Sequence, residues 1–354
     1  MSNLKVKKPS KIDELKAMSP KDRNRAIGDL LMNNAMFIII AIAVIGITCV
    51  KPKFMSLPSI INIINLTMAK LPIALGVGGC IILAGTDISA GRQVGLAAAI
   101  SAGLQLTVNK LFPGLPVMPI WVAVLAVLVV GAIIGFVNGF CMAKFKLHPF
   151  IVTLSTQLIV YGLLLLFLGL GTNNGQTLSG MSQEYRDFVS GVWFKVGNTV
   201  VPKYVLYSAI IAVVVWVIWN KTTFGKNMYA VGSNEEAANV SGVNVTKTII
   251  MVFMMAGMLY ALTGFFDAAR IQSVNATTGL NYEADAIAAC VIGGISFVGG
   301  IGKVSGAIIG VLLLQVIFVG LNFLSVDPNL LYIVKGLIIL IACSIDMRKY
   351  LVRK

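Results

Sequence analysis

The sequence predicts an all-α integral membrane fold with about ten transmembrane helices, some of them short or broken. Three observations carry this. Of the 354 residues, 57% are apolar and 12% charged, against about 25% charged in soluble domains. Apolar stretches close to the roughly 20 residues that cross a bilayer recur along nearly the whole chain, so a single membrane domain over 35–346 is the economical reading. The basic residues are also divided unequally between the segments that join those stretches.

Residues 1–34 form a polar, basic tail, with eight of the 28 Lys and Arg in the first 25 positions. No cleavable signal is expected, because the first apolar run, 35–50, leads directly into further spans. The ten spans fall at roughly 35–50, 60–84, 93–109, 117–142, 150–169, 204–219, 248–266, 284–297, 303–324 and 330–346. With the amino terminus inside, 19 Lys and Arg lie inside and 7 outside, and Lys70 and Lys335 fall within spans. By the positive-inside rule, both termini, including the 347–354 tail, are expected in the cytoplasm. The same distribution removes the case for nucleic acid that a net charge of +14 would otherwise raise. Lys70 and Lys335 stand near span ends, where long side chains snorkel. Cys49, Cys80, Cys141, Cys290 and Cys343 sit singly in apolar segments and read as packing residues.

Two connecting segments stand out. The external one, 170–203, is rich in Gly, Ser, Asn and Thr, carries Glu184, Arg186, Asp187 and Trp193, and exceeds ordinary connection length, which suits a folded surface loop, with a mobile linker as the alternative. The internal one, 220–247, holds Ser233-Asn234-Glu235-Glu236-Ala237-Ala238 at its centre. Ser233 with Glu236 is a capping box, Glu235 lies where the helix dipole favours an acid, and Gly242 offers a stop. A short capped helix that covers no core reads as a docking handle for a soluble partner.

Glycines four apart recur as Gly131, Gly135, Gly139 and as Gly302, Gly306, Gly310, a spacing that lets helix backbones approach closely in lipid. Five spans separate these stripes, as an inverted repeat would require. A competing match, Leu83-Ala84-Gly85 with Ile292-Gly293-Gly294, pairs spans six apart, so the repeat stays open.

The most polar cluster within the apolar succession is Gly85-Thr86-Asp87-Ile88-Ser89-Ala90-Gly91-Arg92-Gln93. An acid at bilayer centre costs about 2.5 to 3.5 kcal/mol on insertion scales. Two roles therefore stand for Asp87: a structural acid paired with Arg92 or capping the next helix with Ser89, or a lining group of a polar passage. Asn65, Asp87, Ser89 and Gln93 are the pathway candidates on polarity. Residues 282–302 read as a short or broken helix, tolerated at membrane depth where protein or a watery cavity shields it. The run Gly299-Gly300-Ile301-Gly302-Lys303 lacks the glycine and the Ser or Thr of a phosphate-binding loop. His148 is the only histidine, which excludes a zinc protease site or a histidine triad, and beside Pro149 at a helix entry it reads as a cytoplasmic surface residue. No metal site and no catalytic cluster is expected.

Gly85–Ala98 (GTDISAGRQVGLAA), Asn220–Val245, Asp285–Gly300 (DAIAACVIGGISFVGG) and Tyr332–Leu340 (YIVKGLIIL) give the chain a resemblance, over about 30–350, to membrane subunits of bacterial sugar ABC importers of the ribose and galactose group. Within that group it is similar to the galactose/methyl-galactoside branch; a ribose or other pentose specificity is the alternative. The resemblance implies a permease homodimer in lipid around a central passage. It also implies a cytoplasmic ABC ATPase, as one fused tandem chain or two, and an extracytoplasmic sugar-binding protein. ATP and Mg belong to the ATPase, and this chain is expected to bind no cofactor and catalyse no reaction. Glu236-Ala237-Ala238, three residues and Gly242 match the opening of the importer loop signature, whose later Ile-x-Leu-Pro part is missing. An ion-coupled secondary sugar transporter would need mid-membrane carboxylates, and only Asp87 is a candidate.

Overall fold

The computed structural model describes residues 35–351 other than 113 and 172. The basic tail 1–34 and the last three residues of the 347–354 tail lie outside the described residues. The helices, in order, are α1 (Ala35–Val50), α2 (Leu57–Ile82), α3 (Ala90–Gln105), α4 (Ile120–Phe145), α5 (Pro149–Leu168), α6 (Gln183–Ser190), α7 (Lys203–Lys221), α8 (Thr223–Ser233), α9 (Glu235–Val240), α10 (Val245–Ile271), α11 (Tyr282–Ile292), α12 (Val304–Phe323) and α13 (Pro328–Leu351). Each of the ten expected stretches carries a helix, and α13 continues past the expected end at 346. Among the described residues, α2, α4, α5, α7, α10 and α12 are long and apolar enough to cross a membrane.

The core forms around α10, which packs along α4, α3 and α2. Small residues make this possible. A Cβ on Gly131 or Gly135 would drive into the carbonyls of Gly257 and Phe253, and one on Gly139 would stand 2.7 Å from the Ile250 Cα. Gly257 abuts the Gly131 carbonyl in return, and Gly264 abuts that of Val94 on α3. Because lipid tails are as apolar as leucine, such backbone contact supplies the association that hydrophobicity cannot.

The second stripe differs from expectation. Gly302 lies before α12, where a Cβ would stand 2.9 and 3.1 Å from the Ile82 and Ile295 side chains, because left-handed Gly299 (φ 87°) and Gly300 (φ 68°) delay the helix start. Gly306 and Gly310 do lie on α12, against the carbonyls of Gly293 and Ala289 on α11. The α4 stripe therefore meets α10, whereas the α12 stripe meets α11.

The helices α2 and α11 end alike. Gly85 N–H donates to the Cys80 carbonyl at 3.0 Å across left-handed Ala84, and Ile295 N–H to the Cys290 carbonyl at 2.9 Å across left-handed Gly294. These are glycine-type helix stops. They open two irregular segments, 83–89 and 293–303, which bury Asp87 and Ser89 in the one and Ile295 and Ser296 in the other while leaving Ala84, Val298 and Ile301 exposed.

The 170–203 stretch is folded. Strand β1 (Leu178–Ser179) pairs antiparallel with β4 (Ser273–Val274), next to the end of α10, and β2 (Val192–Val196) forms a hairpin with β3 (Thr199–Pro202). Between them α6 inserts the fully buried Tyr185, whose hydroxyl donates to the Phe265 carbonyl at 2.5 Å. Burial pushes that phenol well above its ordinary range, which keeps it a neutral donor.

Candidate docking and translocation site

The segment 220–247 carries two helices rather than one. Thr222 starts α8, its Oγ1 accepting the Gly225 N–H at 3.1 Å. Gly225, Met228, Val231 and Gly232 form the buried face of α8. At its end Gly232 lies directly on the Ile82 carbonyl, which also accepts the Gly300 N–H at 2.8 Å. A Cβ on Gly299 would enter the Gly232 carbonyl, and the Tyr229 hydroxyl donates to the Gly302 carbonyl at 3.0 Å. Burial raises the Tyr229 phenol, so it too remains a donor. Thus α8 is clamped by backbone contact to the end of α2, where the 83–89 segment begins, and to the 293–303 segment.

The cap of α9 is one residue later than the sequence suggests. Asn234, extended at φ −163° and ψ 108°, accepts the Ala237 N–H on Oδ1 at 2.8 Å. Ser233 remains the last residue of α8 because its Cα and Cβ pack against Gly300, so the Ser233–Glu236 capping box does not form. Glu235 and Glu236 occupy the exposed first turn, Ala238 is buried, and Gly242 ends the element at φ 84°. Val240 is 90% exposed. Sequence alone does not single it out. Its only signal there is that of an isolated branched residue among polar neighbours.

Behind α8, the segment after α2 enters a buried polar network in which Asp87 Oδ2 and Gln93 Oε1 are left without a hydrogen bond among the described residues. Ser89 is its hub: N–H and Oγ–H both donate to Asp87 Oδ1, at 3.0 and 2.5 Å. Gln93 Nε2 and Asn138 Nδ2 donate to Ser89 Oγ at 2.8 and 3.2 Å, and Thr156 Oγ1 donates to Asn138 Oδ1 at 2.6 Å. Asp87, Ser89 and Asn138 are wholly buried, and the network joins the 83–89 segment to α3, α4 and α5. Arg92 does not pair with Asp87; it donates to the Ala276 carbonyl at 3.1 Å and stacks on Tyr161. Asp87 instead supports the start of α3 through the Ser89 N–H, and Ser89 makes no side-chain cap. Asn65 stands apart from the other three candidates, donating to the Val200 carbonyl on β3 at 3.2 Å.

Lys70 and Lys335 do not snorkel. Lys70 pairs with fully buried Asp267 at 3.2 Å and lies 2.9 Å from the Tyr282 ring centre, while Arg270 holds the other oxygen of Asp267 at 2.8 Å. Lys335 pairs with Asp285 at 3.0 Å. These pairs fasten α11 between α2, α10 and α13, and partners 197 and 50 residues away could not be read from local sequence. His148 is exposed and caps α5, its Nδ1 accepting the Phe150 N–H at 3.3 Å. Among the described residues no group of His, Cys, Asp and Glu is placed to hold a metal.

The chain is 44% identical over 340 residues to the galactose/methyl galactoside import permease of Haemophilus influenzae, covering 95% of this chain and all of the relative. It is 42% identical to the protein of the same name in Escherichia coli, over 92% of this chain and 96% of that one. Identity to the ribose import permease of Haemophilus influenzae is 33%, over 93% and 97% of the two chains. No solved structure matches. Residues 59–343, from within α2 to within α13, match the family described as branched-chain amino acid transport system / permease component, and the chain belongs to that family.

Proposed function

We propose that the chain is the membrane-spanning subunit of an ATP-driven importer that takes up galactose or a methyl galactoside. The observation that carries the specificity is the graded likeness, 44% and 42% to relatives named for galactose and methyl galactoside against 33% to a relative named for ribose, each over more than nine-tenths of this chain. In this reading the chain makes ten crossings in the bacterial inner membrane, with both termini and α8–α9 in the cytoplasm, as the 19-to-7 charge asymmetry supports. Two copies enclose the passage. The matching ends of α2 and α11 favour internal pairing of spans six apart.

A cytoplasmic ATPase, one fused chain or two, takes α9 through Glu235, Glu236, Ala237 and Val240, and an extracytoplasmic receptor delivers the sugar. When the ATPase domains close, α9 moves with them and α8 carries the movement into the 83–89 and 293–303 segments by backbone contact. Differential contact with the two access states is what ATP binding then exploits. Selectivity resides largely in the receptor. Proteoliposomes holding this chain, its ATPase and its receptor should take up labelled galactose on addition of ATP, with methyl galactoside competing better than ribose. Uptake by this chain alone under an ion gradient would overturn the proposal.

A further inference from the structure

Strand β2 is unusual in being apolar and exposed along most of its length: Val192, Trp193 and Phe194 are 49%, 45% and 43% accessible. A register irregularity between Val192 and Phe194 turns two successive aromatics toward each other, and their rings meet edge to face at 4.7 Å. Its partner strand seals inward, with Val201 and Pro202 buried. The hairpin thus shows one covered strand and one bare aromatic strand.

Its depth can be read from Asn65. That side chain holds the Val200 carbonyl, and Asn65 lies 17 residues before the end of α2 at Ile82. At 1.5 Å per residue the hairpin stands about 26 Å from the opposite end of the helix, within the roughly 30 Å of a hydrocarbon core. With Ile82 at the cytoplasmic edge of the hydrocarbon, where α8 meets it, the hairpin flanks the apolar layer and does not stand clear of it. β3 runs directly into α7, which exposes the apolar Ile210, Val213 and Val214. A two-stranded ribbon has unpaired backbone edges that cannot sit in hydrocarbon, so the boundary with the head groups is the only depth that satisfies both its edges and its rings. Trp and Lys suit that boundary, and Lys195 follows the aromatic pair.

We propose that the Val192–Pro202 hairpin is an interfacial lipid anchor, seating Trp193 and Phe194 at the acyl-chain edge of the leaflet opposite α8–α9, with Lys195 reaching the phosphates. Asn65 ties this anchor to α2, so the polar residue in the outer half of that helix serves the membrane boundary. The test is the tryptophan emission lost in Trp193→Phe, measured on the full chain in nanodiscs of phosphatidylcholine and phosphatidylglycerol. Bromine placed high on the acyl chains should quench this difference signal about twofold or more, and bromine near the chain ends should quench it less. A difference signal that brominated lipid leaves unchanged overturns the anchor. The anchor is equally overturned if the sugar receptor, and not lipid, shields that signal from a water-soluble quencher, which would make the hairpin a protein-docking surface.

Discussion

The joint at Gly232 makes the sharpest demand on the coupling route. In Gly232→Ala the added methyl enters the Ile82 carbonyl, whose oxygen is already held by the Gly300 N–H at 2.8 Å, with the Gly300 nitrogen itself 3.0 Å from the new atom. All three neighbours are backbone, so no side chain can swing aside. Something must retreat by well over an ångström to restore ordinary contact, and overpacking of this kind costs about 1–3 kcal/mol. Nothing on the exposed surface of α9 changes, so ATPase binding should persist. A bias of about 1–3 kcal/mol between two access states corresponds to about 5–150-fold in their ratio. The assay is paired: recovery of the ATPase with the tagged permease, and ATP-driven sugar uptake in proteoliposomes. Full recovery with uptake reduced at least about fivefold is expected. Full recovery with undiminished uptake would refute the idea that α8 passes movement to the 83–89 segment at this contact.

Four further outcomes follow from the same contacts. Asn234→Ala removes the hydrogen bond to the Ala237 N–H and should weaken α9 by about 1 kcal/mol, seen as weaker ATPase binding, whereas Ser233→Ala, which removes no cap, should bind nearly as the parent does. Glu236→Lys and Gly242→Trp should impair ATPase association or uptake while membrane insertion, followed by fractionation, stays intact. Asp87→Asn keeps an acceptor for the two Ser89 donors and should yield assembled permease with reduced transport, while Asp87→Ala strands those donors at about 1–3 kcal/mol and should lower the thermal midpoint. Asp267→Ala leaves Lys70 and Arg270 facing each other and should cost about 3 kcal/mol, the low end for a broken buried pair because both cations keep some exposure; adding Lys70→Met should recover part of that loss.

Membrane architecture is legible because lipid forbids any span that does not satisfy its own backbone, and the runs at 35–50 and 150–169 therefore announce α1 and α5 almost to the residue. What closes those helices together is not. The Gly131 stripe marks a close approach but not its partner, since Phe253 and Gly257 are identified only by the fold. Asn138 and Thr156 are single polar residues in apolar helices, and only the chain's path brings them to Ser89. Polarity also says nothing about depth, which is why it groups Asn65 with Asp87 although Asn65 meets β3. At the α9 cap two neighbouring cap formers compete, and a tertiary contact with Gly300 decides between them. The glycines that permit the Ile82 joint are visible, but Gly232 lies about 70 residues from Gly300, beyond any local rule.

The central claim is that α9 carries force between this chain and a nucleotide-driven engine. Val240, 90% exposed at its end, is the place to ask: Val240→Cys, in a background without exposed native thiols, should form a short-range crosslink to the ATPase in the assembled complex, and the link should abolish ATP-driven uptake. A Val240→Cys thiol that stays fully reactive to a small maleimide in the complete complex, with no crosslink and normal uptake, would contradict it.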